Sequence, residues 1–83
     1  MPEELIGEVS HWFDNINVVG IRLSGDLAVG DHVHIVGHTT DLEQEITSMQ
    51  LDNEDVSEAS AGDEIGVKLT SRARPGDSVY KVI

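Results

Sequence analysis

With 83 residues, 39% of them hydrophobic, and a formal charge of −11, the chain has room for one modest core and little attraction for polyanions. It has no cysteine, which excludes disulfides, thiolate catalysis, Cys-ligated zinc and iron–sulfur clusters. One Trp, one Tyr and one Phe leave Val, Ile and Leu to fill the interior, and these prefer strands.

The opening Met1-Pro2-Glu3-Glu4 is acidic and does not read as a signal peptide. No apolar run approaches the ~20 residues that span a bilayer, so a cytoplasmic single domain over residues 1–83 is expected. Leu5–Trp12 reads as a first strand and Asn15–Ser24 as a second, the latter carrying Ile16, Val18, Val19, Ile21 and Leu23. Gly25-Asp26 and Gly30-Asp31 bracket Leu27-Ala28-Val29 as turn signals. His32–Gly37 alternates, with Val33 and Ile35 on one face and His32 and His34 on the other. Leu42–Leu51 also alternates, but its apolar parity changes near Thr47-Ser48, which calls for a bulge or twist. Asp52–Asp55 and Ala61-Gly62-Asp63 are turns, and Glu64–Thr70 is a strand with Ile65, Val67 and Leu69 on one face. Arg74-Pro75-Gly76-Asp77 is a strong turn signal before a last strand, Ser78–Ile83. Six or seven short strands and no helical periodicity predict an all-β fold, a small closed barrel that leaves no exposed edge.

Charge is uneven. Asp41 to Glu64 holds nine acids and no Lys or Arg, whereas Ile65 to Ile83 holds Lys68, Arg72, Arg74 and Lys81 against Asp77 alone. The acids read as solvated strand faces or as a docking face for a basic partner. Arg72, Arg74 and Lys81 read as solubilising charges or as a contact for an RNA backbone or an acidic protein. Trp12-Phe13 places two adjacent aromatics on opposite faces of a strand, so one packs inward and the other covers an end or anchors a partner. His32 and His34 share a face and His38 has their parity, a spacing that zinc or nickel could use, although the alternation puts all three at the surface. No G-x-S-x-G motif, phosphate loop or cysteine is present, so no enzyme activity, catalytic residue or cofactor is expected.

Gly25-Asp26-Leu27-Ala28-Val29-Gly30-Asp31-His32-Val33-His34-Ile35-Val36-Gly37 resembles the G-x-L-x-x-G-D-x-V-x-I-x-G stretch of translation-factor domain II. Ile46-Thr47-Ser48-Met49-Gln50 resembles that family's next strand, and Val56–Leu69 resembles its A-x-A-G-D-x-V-G-x-x-L segment. The resemblance runs from Leu5 to Ile83 and implies a Greek-key barrel of the elongation factor Tu domain 2 type. His11–Asn17 stands where that family carries a Gly-rich S-G-x-G-T-V segment, so aminoacyl-tRNA binding does not carry over. Related barrels also occur as accessory domains on some collagenase-like peptidases.

Two functions follow as expectations. The first is a non-catalytic binding module of translation-factor type, engaging a protein partner or, weakly, RNA, and neither DNA nor membrane. The alternative is a structural or regulatory subunit that docks onto a separately encoded enzyme such as a collagenase-like peptidase. Trp12, Phe13, Arg72, Arg74 and Lys81 are the candidate contact residues, with His32 and His34 the candidate metal ligands.

Overall fold

The spacing of Ile6, Val9 and Trp12 dictates the shape of the first strand. Inward residues in a regular strand are two apart, yet these three are spaced by three. A bulge in each interval reconciles them, and the computed structural model, which describes residues 2–83, has both. β1 (Glu3–Phe13) shifts register between Leu5 and Gly7 against the last strand and between Val9 and His11 against the second. Ile6 and Val9 are buried and Trp12 packs against the same core. Each bulge bends β1 and strengthens its twist.

Nine more strands follow: β2 (Val18–Leu23), β3 (Leu27–Ala28), β4 (His32–Val36), β5 (Asp41–Glu45), β6 (Met49–Leu51), β7 (Glu54–Asp55), β8 (Glu58–Ala59), β9 (Glu64–Lys68) and β10 (Ser78–Val82). Every regular element among the described residues is a strand, and every ladder is antiparallel. Eight strands form one sheet in the order β5-β4-β10-β1-β2-β9-β6-β7, and β3 pairs with β8. Alternation fixes the inner face: Val19, Ile21 and Leu23 of β2, Val33 and Ile35 of β4, Ile65 and Val67 of β9 and Val79 of β10 are buried. Each such side chain contributes about 1.5–3 kcal/mol by leaving water.

The strand count differs from the six or seven expected, for local reasons. The two-residue β3, β7 and β8 are too short to show a period of two. The expected Leu42–Leu51 strand is β5 and β6, divided at residues 46–48, where Ile46 turns inward and exchanges backbone hydrogen bonds with Gly30 and Asp31. The parity change at Thr47-Ser48 is therefore a break between strands. The ladders run from β5 to β7 without joining those two, so both are edges of the sheet. Asp41, Glu43 and Glu45 line the β5 edge with exposed charge, which discourages pairing with another chain.

Three turns set the starts of β4, β9 and β10, and they are one structure built three times. Ala28–Asp31, Ser60–Asp63 and Arg74–Asp77 each place glycine third, at φ 100°, 95° and 93°. In each, the Asp amide donates to the carbonyl of the first residue, at 3.1, 3.0 and 3.1 Å. The Asp carboxylate then accepts from that residue's own amide, at 2.9, 3.0 and 2.8 Å. These are type II turns, whose third position needs the positive φ that glycine adopts without strain.

Candidate docking groove

The outer face of the sheet carries a bare strip. The ladder registers align His11, Gly20, Gly66 and Gln50 in one row across β1, β2, β9 and β6. The two central members have no side chain, so the row is a trough with a backbone floor. A Cβ at Gly20 would sit 3.1 Å from Ser10 Oγ, a tight contact that the hydroxyl would have to yield to. The gap lets Ser10 reach across β2 to Glu64, hydroxyl to carboxylate at 2.6 Å.

One wall of the trough is apolar. Phe13 and Val18 are paired in the next row, and Ile16 stands on the Asp14–Asn17 turn above them. Phe13 is 49% exposed and Ile16 59% exposed. The His11 ring stacks on Phe13 with centroids 5.9 Å apart and planes 14° from parallel. Asp52, Asn53 and Glu64 rim the other sides, enclosing a groove of about 570 Å³.

The structure separates the two adjacent aromatics. Trp12 faces the core, half-buried, with its indole N–H donating to the Asp14 carboxylate. Phe13 faces solvent on the groove. The basic residues do not converge. Lys81 lies beside Glu4 near one end of the β1–β10 ladder and donates to the Asp26 carbonyl at 3.2 Å. Arg72 and Arg74 are exposed in the loop at the other end, where Gly76 donates to the Val9 carbonyl.

The histidines also divide. His32 faces Glu45 at 3.8 Å, and His38 is exposed after β4. His34 stands between carboxylates, with Nδ1 2.9 Å from Glu3 and Nε2 2.6 Å from Asp41. The hydrogen bond to Asp41 first, then that to Glu3, raises its pKa above the ordinary 6.5. Sequence reasoning missed Glu3, Asp41 and Glu43 as its neighbours. The signal available was the hairpin register, since a tight turn at residues 37–40 puts His34 opposite Glu43.

The groove is apolar on one wall and rimmed by Asp52, Asn53 and Glu64 on the others, and comparisons with known proteins bear on what an all-β domain of this kind accompanies. The chain is 41% identical over 76 residues to an uncharacterized protease of Methanocaldococcus jannaschii, covering 90% of this chain and 19% of the relative. It is 27% identical over 78 residues to a collagenase of Porphyromonas gingivalis, covering 92% and 22%. It thus spans about a fifth of these relatives' length. The crystal structure of the C-terminal domain of a proposed U32 peptidase from Geobacillus thermoleovorans matches with a TM-score of 0.89 at 16% identity, covering 96% of this chain and 93% of that one. Its selenomethionine variant matches with a TM-score of 0.87 at 15% identity. At such identity these two structures speak to fold alone. No family model matches the chain.

These relatives correct the resemblance to translation-factor domain II and, with it, the elongation-factor-like and translation-factor-like reading. The physical reason lies in the turns. The G-D pairs within the resembling blocks, Gly30-Asp31 and Gly62-Asp63, are the closing half of a type II turn, and Gly76-Asp77 repeats them outside those blocks. They encode a way of starting a strand. No helix among the described residues is long and apolar enough to cross a membrane.

Proposed function

We propose that the chain is a non-catalytic accessory module that docks onto a protease-type enzyme domain through the Phe13–Ile16 groove. The carrying observation is the extent of similarity: nine-tenths of this chain corresponds to about a fifth of the Methanocaldococcus relative, and in that protein the matching fifth accompanies a much larger remainder. The groove supplies the contact. Covering the exposed parts of Phe13 and Ile16 removes on the order of 200 Å² of apolar surface from water, about 5 kcal/mol before the costs of association. Asp14, Asp52 and Glu64 around it select a partner segment whose apolar anchors are flanked by Lys or Arg. Closure of the sheet into a barrel belongs to the same reading. Gln44 supports it, because its side-chain amide reaches from the β5 edge to the Lys68 carbonyl at 3.1 Å and the Thr70 amide at 2.9 Å, taking the place of a ladder pair.

The test uses the Methanocaldococcus protease with its own matching fifth removed. Mixed with this chain and run on size exclusion with light scattering, it is expected to form a one-to-one complex. The variants Phe13→Ala and Ile16→Ala are expected to lose that complex, while Arg72→Ala keeps it. A complex indifferent to Phe13 and Ile16 would count against the groove, and no complex at any concentration would count against the module.

A further inference from the structure

The cluster around His34 lies apart from the groove, and the docking reading does not use it. We propose that Glu3, His34 and Glu43 form a binding site for a divalent transition metal ion such as zinc.

Strand geometry builds the site. His34 and Glu43 are directly opposed in the β4–β5 ladder, on the outer face. Glu3 enters from β1, on the far side of β10, and its carboxylate already reaches His34 Nδ1. Glu3, His34 and Glu43 each offer one donor atom, and the three atoms lie within 4.8 Å of one another. Zinc holds its nitrogen and oxygen ligands at about 2.0–2.2 Å, so the donors must close to about 3.3–3.6 Å. The Glu3 side chain is 31% exposed and Glu43 is exposed, which leaves both free to rotate by that amount.

A second feature sets this cluster apart from a chance gathering of acids. Asp41 accepts from the other ring nitrogen, Nε2, at 2.6 Å. That is the carboxylate–histidine arrangement that orients a metal-binding imidazole and fixes its tautomer, leaving Nδ1 to face the ion beside Glu3. Charge runs the same way. Three carboxylates surround one imidazole, and an imidazolium offsets one of their charges, whereas a dication offsets two. One imidazole and two carboxylates suit zinc, cobalt, nickel or manganese better than calcium or magnesium, and water completes the shell. A bound ion would tie the β5 edge and β4 to the start of β1, three elements that are distant in sequence.

The measurement is a zinc chloride titration of the whole chain by calorimetry in a non-chelating buffer, with long-range ¹H–¹⁵N spectra of the histidines. Saturable one-to-one binding is expected, with the His34 resonances moving and those of His11 and His38 still. His34→Gln and Glu43→Gln are each expected to weaken binding more than tenfold, and His32→Gln and His38→Gln less than twofold. Glu43→Gln keeps both carboxylate contacts of His34, so its loss of affinity reports on ligation and not on folding; circular dichroism confirms the fold of each variant. Zinc at a hundredfold over its Kd is expected to raise the melting temperature by about 10 °C or more, and Glu43→Gln to abolish most of that rise. No saturable binding at millimolar zinc, or binding that survives Glu43→Gln and follows His32 or His38, overturns the proposal.

Discussion

The Asp77 carboxylate fills the space that a side chain at Gly37 would need, so that even a methyl group at 37 would overlap it. Asp77 is buried and also accepts from the Arg74 amide at 2.8 Å, which closes the turn before β10. Gly37→Ala is therefore expected to destabilise the chain by about 2–3 kcal/mol. Asp77→Ala is expected to cost about 1–3 kcal/mol by leaving a polar partner unpaired. The double variant should be more stable than the sum of the two losses, because removing the carboxylate vacates the methyl's space. Urea unfolding of the four proteins measures this; strict additivity would show that the two residues do not compete for that space.

The three type II turns make a contrasting expectation. A Cβ at Gly30, Gly62 or Gly76 would meet nothing within 4 Å. Alanine there costs only the positive φ, about 1–2 kcal/mol at each site. In a domain this size that lowers the melting temperature by roughly 4–15 °C, similarly at all three sites. One site falling far outside the others would mean that the turns are not equivalent.

Much of this was legible in the chain. The third residue of each turn is a glycine followed by aspartate, so Gly30-Asp31, Gly62-Asp63 and Gly76-Asp77 announce their own conformation. Val33 and Ile35, or Ile65 and Val67, announce an inward face by alternation. What pairs across strands is silent in the sequence. Gly20 and Gly66 are 46 positions apart, and nothing local says that they lie side by side to floor a groove. The three-residue spacing of Ile6, Val9 and Trp12 encoded two bulges, yet a reading by alternation alone leaves open which of Trp12 and Phe13 turns inward. The resemblance to translation-factor domain II leaned on blocks whose glycines and aspartates serve type II turns, a local feature that does not single out one family.

Gln44 gives an expectation for dynamics. Its side-chain oxygen holds the Thr70 amide and its nitrogen holds the Lys68 carbonyl. Gln44→Ala should speed hydrogen exchange at Thr70 at least tenfold while leaving Ile21, in the centre of the sheet, within twofold. The stability cost should be about 0.5–1.5 kcal/mol, since the site is exposed. Unchanged exchange at Thr70 would show that β5 and the end of β9 are held together by other contacts.

The adjacent aromatics should part company under mutation. Trp12→Ala removes a ring packed on the core and should cost about 2–4 kcal/mol. Phe13→Ala and Ile16→Ala remove exposed side chains and should change stability by less than about 1 kcal/mol. Thermal melts distinguish the two classes, and a Phe13 variant as damaging as Trp12→Ala would mean that Phe13 serves folding and not contact.

The docking claim is tested most directly by titrating the isotope-labelled chain with the protease remainder and following backbone amide shifts. Perturbations centred on Phe13, Ile16, Gly20 and Gly66 are expected, with Phe13→Ala weakening the affinity by about 2 kcal/mol, roughly thirtyfold. Shifts centred on Arg72 and Arg74, or an affinity unchanged by Phe13→Ala, would contradict it.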